Sequence, residues 1–290
     1  MEWVDRLNQA LSYIENHITE KIDYEELGKM AGCSSYHFQR MFNYMADIPL
    51  SEYIRRRKMS LAVADILSSR EKIVDIALKY GYSSPTAFNR AFQSVHGISP
   101  SAVRKAGASV KSCPPISFKI MIKGVEEMEY RLESKEAFTV VGFRYPLTDR
   151  LEENFKIVPD MWKKFSTDGS MEKLLPLMSR EWKGVFGIST CMPDMEWSYG
   201  IAVASPAEPA DRMERWQIPV RTWAVFSGEG CCPQAIQELE RRIFTEWLPA
   251  SGYEYDLGPD LEFYKKPDPS QAEFEVWVPV RKKKPLYLQP

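Results

Sequence analysis

Trp3, Leu7, Ala10, Leu11, Ile14 and Ile18 recur at intervals of three and four residues. That spacing makes one apolar stripe on an amphipathic helix. Asp23 then offers an N-cap, with Glu25 and Glu26 in the first turn, so residues 24–31 predict a short second helix. Gly32 tolerates a positive φ, and Ser34 or Ser35 can cap a third helix over 36–44. A helix, a tight glycine-containing turn and a second helix form the helix-turn-helix arrangement.

The same pattern returns further along. Residues 73–80 predict a short helix, Gly81-Tyr82-Ser83-Ser84 a turn, and Pro85 opens another helix. Gly32-Cys33-Ser34-Ser35 matches Gly81-Tyr82-Ser83-Ser84. Phe38-Gln39-Arg40-Met41-Phe42 matches Phe88-Asn89-Arg90-Ala91-Phe92 after one inserted residue. A repeat this detailed is a property of the fold. Between the units, residues 52–68 predict one connecting helix, with Tyr53, Ile54, Leu61, Ala64 and Leu67 on its apolar face.

Past residue 112 the period changes from helical to alternating. Residues 116–132 predict a hairpin turning at Lys123-Gly124. Strands are expected at 138–143, 185–188, 197–203, 261–264 and 274–280, and over most of 216–226. Helices are expected at 155–165 and 233–247. Strand groups that each include a helix describe an α+β layer.

Composition sharpens this division. The 290 residues suggest roughly two domains. Only Trp3 of the eight tryptophans lies before residue 112. Taken alone, the net charge of −2 argues against nucleic acid, but it averages a first segment at +3 with a remainder at −5. The first segment holds the cluster Arg55-Arg56-Arg57-Lys58. The five cysteines form no disulfide or zinc spacing, and no metal or other cofactor is expected. Acids at the N-terminus and the lack of a long apolar run predict a cytoplasmic protein that does not enter membranes.

The paired Gly-x-Ser-Ser turns, the Phe-x-Arg-x-Phe helices, the Arg57-containing linker and the Gly97-Ile98-Ser99-Pro100 ending resemble the AraC/XylS DNA-binding domain over residues 3–105. The resemblance implies two recognition helices in successive major grooves, about 34 Å apart. It also makes Arg57 a structural arginine. Recognition helices meet base edges with N-terminal and outward-facing residues. These are Ser35, Tyr36, Gln39 and Arg40 in the first unit and Thr86, Asn89 and Arg90 in the second. Gln and Arg suit adenine and guanine edges. Arg55, Arg56, Lys58, Arg104 and Lys105 are candidates for phosphate contact, and His37 is read as facing solvent or phosphate.

Residues 116–281 are similar to the gyrase-inhibitor-like effector-binding domain, through Val141-Gly142, residues 246–252 and residues 275–280. That resemblance implies two strand-helix-strand-strand halves in pseudo-twofold arrangement, with a groove for flat, often cationic compounds. It maps a groove-facing carboxylate onto Glu275. Glu275 and Trp277 share a strand face, and a carboxylate beside an indole suits a cation. Trp162, Trp197, Tyr199 and Trp223 are the other candidate wall residues, and Glu129 is a second candidate carboxylate.

The expected organisation is an all-α double helix-turn-helix domain at 1–106, a linker at 107–115, an α+β sensing domain at 116–281 and a tail at 282–290. The expected function is a DNA-binding transcription regulator responding to a small organic effector, with RNA polymerase as a further partner. It is not expected to be an enzyme. The alternatives are hydrolysis of a small molecule by Glu275 with Tyr199 or Tyr255, and a protein-only module binding gyrase or polymerase.

Overall fold

The structure is a computed structural model that describes residues 3–105, 108–119, 127–192, 196–210 and 212–283. Its contacts divide the chain into two units. Of the described residues, those within 3–31 and 46–119 form the first, and those within 32–45 and 127–283 form the second.

In the first unit, α1 (Trp3–Asn16) buries Leu7, Ala10, Leu11 and Ile14, the expected stripe. α2 (Tyr24–Ala31) is capped by the Asp23 carboxylate, which accepts from the Glu25 amide at 2.9 Å. α4 (Leu50–Ser68) is the long connecting helix, α5 spans Ile73–Lys79 and α6 spans Pro85–His96. Gly81 turns the chain between α5 and α6 at φ 82°, and Gly32 turns it before α3 at φ 77°. Both values lie where glycine carries no Cβ penalty. The Ser84 hydroxyl caps α6 by accepting from the Ala87 amide.

The distal half of α4 buries a different stripe from the one expected. Met59, Ala62, Val63 and Ile66 pack with Ile76, Phe88 and Phe92, whereas Leu67 is 62% exposed. Positions 59, 62, 63 and 66 follow the helical period, and their alignment with α5 and α6 is what selects them. Arg57 is structural, as the resemblance implied. Its guanidinium forms a bidentate pair with Glu15 at 2.6–3.0 Å and donates to the Cys113 carbonyl.

The second unit is an antiparallel sheet with helices. Its strands are β1 (Arg131–Lys135), β2 (Phe138–Pro146), β3 (Val185–Thr190), β4 (Ser198–Ala204), β5 (Glu214–Ile218), β6 (Arg221–Gly230), β7 (Tyr253–Tyr255), β8 (Asp260–Lys266) and β9 (Ala272–Lys282). The order is β1-β6-β9-β8-β3-β4-β2-β5, with β7 joined to β9. α7 (Leu151–Phe165) and the short α8 (Ser170–Leu174) lie between β2 and β3, and α9 (Gln234–Arg242) follows β6. α3 (Ser35–Ala46), apart from its last residue, belongs to this unit by its contacts. The turn of the expected 116–132 hairpin falls at 120–126, outside the described residues. Residues 116–119 carry no strand, and β1 begins only at Arg131. Most of the expected tail is likewise outside the described residues.

The sheet has two filled faces. Val140, Phe186, Ile188, Trp223, Phe263 and Trp277 pack on one. Val141, Val185, Tyr199, Ile201 and Val203 pack on the other, against Phe165 and Trp162 of α7. Successive residues of a strand alternate between these faces, so strand parity decides which side chain reaches which chamber.

Candidate effector cavity and recognition helices

A cavity of about 350 Å³ opens on the α7 side of the sheet. That volume is in the range that holds a small organic ligand. Trp162, Phe155 and Val158 of α7 line it, with Ile236 and Glu240 of α9 and Tyr199, Glu262 and Tyr264 of the sheet. Gly187 makes room for the Tyr199 hydroxyl and the Glu262 carboxylate of the cavity wall. A Cβ there would lie 2.1 Å from the Tyr199 hydroxyl oxygen and 2.8 Å from Glu262 Oε2.

A chain of donors ends on Glu262. Trp162 Nε1 donates to the Tyr199 hydroxyl at 2.8 Å. Tyr199 in turn donates to Glu262 Oε2 at 2.8 Å, and Tyr264 donates to the same oxygen at 2.9 Å. Burial pushes the Glu262 carboxyl up to about 7, and the Glu240 charge adds to this. The two tyrosine bonds and the Arg40 charge pull it back. Among the described residues, Glu262 has no Lys or Arg within ion-pair distance. Its side chain is enclosed by protein yet partly accessible from the cavity.

The expected pocket carboxylate sits elsewhere. Glu275 pairs in register with Phe263, whereas Glu262 pairs with Val276 and Gly187. Glu275 therefore lies on the opposite face. It forms ion pairs with Arg131 at 2.9 Å and Lys265 at 2.6 Å, and it accepts from Trp277 Nε1 at 3.0 Å. Burial tends to raise its carboxyl, but the hydrogen bonds and charges of Arg131 and Lys265 hold it below the usual range. Trp277 and Trp223 fill the core of that face rather than a cavity wall. Trp197 packs edge-on against Tyr36, with ring centroids 5.0 Å apart, and does not line the cavity. Of the expected ligand residues, the cavity brings together Trp162 and Tyr199. Glu129 is exposed.

The carboxylate that sequence reasoning missed is Glu262. Its strand pattern, Leu261-Glu262-Phe263, carried a signal: an acid flanked by large apolar residues on a central strand. The pairings expected for hydrolysis do not assemble. Glu275 and Tyr199 are on opposite faces, and Tyr255 donates to the Gly258 carbonyl at 3.2 Å and stacks on His37. Among the described residues, no group of three or more His, Cys, Asp or Glu side chains could hold a metal ion.

The two recognition helices differ in exposure. On α6, Thr86 and Arg90 are exposed and Asn89 is half-buried. On α3, Ser35, Tyr36, Gln39 and Arg40 are all buried, at 2–7% exposure. Arg40 lies 2.5 Å from Glu240 and 3.0 Å from Asp260. Burial opposes the Arg40 charge, but Glu240, Tyr44 and Asp260 outweigh it and hold the guanidinium charged. His37 faces neither solvent nor phosphate. It is 0% exposed, its ring centroid is 3.6 Å from that of Tyr255, and burial followed by the Arg40 charge drives its pKa well down. An uncharged imidazole is what a dry aromatic slot accepts.

The candidate phosphate contacts also have partners. Arg55 and Arg56 both pair with Glu52. Lys58 donates to the Tyr80 carbonyl at 3.2 Å, and Arg104 donates to the Ile66 and Glu71 carbonyls. Lys105 is exposed.

Comparison with known proteins agrees with this architecture. A family model described as integron-associated effector binding protein matches residues 131–280, and a helix-turn-helix domain model matches residues 27–106. The HTH-type transcriptional activator AarP of Providencia stuartii is 34% identical over 98 residues, covering 34% of this chain and 73% of AarP. The transcriptional regulator Rob of Salmonella typhimurium is 23% identical over 299 residues, covering 97% of this chain and all of Rob. A transcription regulation protein from Staphylococcus aureus MU50 aligns with 53% of this chain and 99% of its own, at 22% identity and a TM-score of 0.46. The chain belongs to the integron-associated effector-binding family and is an AraC-type helix-turn-helix DNA-binding transcription regulator. No helix among the described residues is long and apolar enough to cross a membrane.

Proposed function

We propose that the effector is an aromatic organic cation held in the Glu262 cavity. One observation carries this reading: an enclosed carboxylate in an aromatic chamber, bonded by two tyrosines but without a cationic partner among the described residues. Such a group gains most from a ligand that brings its own positive charge. Trp162, Tyr199 and Tyr264 add ring faces and edges, and cation–π attraction contributes about 0.5–2 kcal/mol. The pseudo-twofold reading fits the same place. The β2-α7-β3-β4 and β6-α9-β8-β9 segments would be the two halves, meeting where β3 pairs with β8.

DNA is read in this proposal by Thr86, Asn89 and Arg90 of α6 and by Ser35, Tyr36, Gln39 and Arg40 of α3. Lys105 and the arginines near α4 supply phosphate contacts. RNA polymerase is the partner through which a bound regulator would act.

Titration with tetraphenylphosphonium, read by tryptophan fluorescence, tests the effector site. Saturable quenching that weakens about tenfold or more in Glu262→Gln is expected, since roughly 1.4 kcal/mol is a factor of ten. Equal affinity in both proteins removes Glu262 from the site. Selection from a random duplex pool tests DNA reading, with Arg90→Ala expected to relax the selected sequence.

A further inference from the structure

Eight consecutive residues of α3, Ser35–Phe42, are buried. A helix covered all round must satisfy its polar face as well as its apolar one. The matching helix α6 keeps its polar face open at Thr86 and Arg90. The same motif is therefore covered in one repeat and free in the other.

The cover over α3 is specific. Arg40 sits between Glu240 and Asp260. The Tyr44 hydroxyl donates to Glu240 at 2.7 Å, Gln39 donates to the Asp149 carbonyl at 3.3 Å, and Tyr36 meets Trp197. A buried guanidinium without carboxylates would be strongly unfavourable, so this acidic slot is a receptor for Arg40. Base edges and Glu240 compete for the same side chain.

The cavity touches this receptor directly. Tyr36, Arg40 and Glu240 are part of its wall, together with Glu262. A cation at Glu262 places like charge beside Arg40 and offers Glu240 another partner. Like charges repel strongly where water is scarce. With α3 undocked, Arg40 leaves the wall and Glu240 and Asp260 both become available to the cation. The cation thus favours the undocked state, and such a difference in affinity is what lets a ligand shift an equilibrium.

We propose that Glu240 and Asp260 clamp the recognition helix α3 away from DNA, and that an organic cation in the Glu262 cavity releases it. The release step rests on the effector reading above; the clamp stands on its own contacts.

The test uses the full chain carrying Glu240→Gln and Asp260→Asn, singly and together. Hydrogen exchange of amides 35–46 and affinity for duplexes selected from a random pool are measured. Both are expected to rise about tenfold or more in the double variant, because Arg40 loses both charged acceptors. Tetraphenylphosphonium on the unaltered protein gives the same change, and tetraphenylborate, an anion of the same shape, does not. Unchanged exchange and affinity in a folded double variant overturn the clamp. If that variant does not fold, Tyr44→Phe and Trp197→Leu are measured in the same way, and unchanged values in them overturn the clamp equally. Binding of tetraphenylphosphonium without faster α3 exchange overturns release. Failure of that cation to bind overturns the effector reading, while the double variant still decides the clamp.

Discussion

A single carboxylate concentrates most of the chemistry of the second unit. Burial pushes the Glu262 carboxyl up to about 7, so ionising it opposes folding. For such a group, the favourable contribution is present below the unfolded value of about 4.5 and is lost as pH rises through about 7. Glu262→Gln should therefore stabilise the effector-free protein at pH 8 and change little at pH 5. The full shift corresponds to at most roughly 3 kcal/mol, and access from the cavity reduces this, so a gain of about 1–2 kcal/mol is expected. Thermal melts at the two pH values check it. Cation binding runs the other way. It needs the ionised form, so affinity for tetraphenylphosphonium should fall as pH drops from 8 to 6, and should be flat in the glutamine variant. Gly187→Ala tests the packing beneath Tyr199 and Glu262. The added methyl collides with the Tyr199 hydroxyl and Glu262, which predicts a loss of about 1–3 kcal/mol together with loss of cation binding.

At the scale of elements, the helices and strands follow from local pattern, while their partners do not. The bounds expected for α2 agree with the structure, and Pro85 and Ser84 start α6 as capping chemistry requires. Leu61 packs against the buried cluster of α4, but Ala64 and Leu67 are exposed, although they satisfy the helical period as well as Met59, Ala62, Val63 and Ile66 do. Only contact with α5 and α6 separates the two stripes. The same ambiguity governs β8 and β9. Alternation assigns Glu275 and Trp277 to one face correctly, but it cannot say which face carries the cavity. Arg57 joins α4 to α1 through Glu15. Arg57→Met should destabilise the first unit by about 2–3 kcal/mol, measured by urea unfolding. Burial tends to raise the Glu15 carboxyl, and its bonds to Arg57 and Tyr53 bring it lower overall. The stability this supplies is present above the ordinary carboxylate value and lost as pH falls through the lower folded one. The Arg57→Met penalty should accordingly shrink in strong acid.

For the whole molecule, the two repeats share a motif but not an environment. If α3 is covered and α6 open, effector-free protein binds DNA through fewer phosphate contacts. The slope of log affinity against log salt scales as about −0.9 per neutralised phosphate. Tetraphenylphosphonium should therefore steepen that slope as well as raise affinity, which titrations at several salt concentrations would reveal.

What the chain determines by itself is local and periodic: the duplicated helix-turn-helix, the change to alternating strands past residue 112, and the Asp23 cap of α2. These depend on neighbours a few positions apart, where spacing and side-chain chemistry are enough. Only the tertiary structure decided that Glu262 rather than Glu275 faces the cavity, and that Arg40 lies between Glu240 and Asp260. Those outcomes depend on register between strands and on contacts across some two hundred positions of sequence, as in the Arg40–Asp260 bond. Alternation along a strand is blind to both.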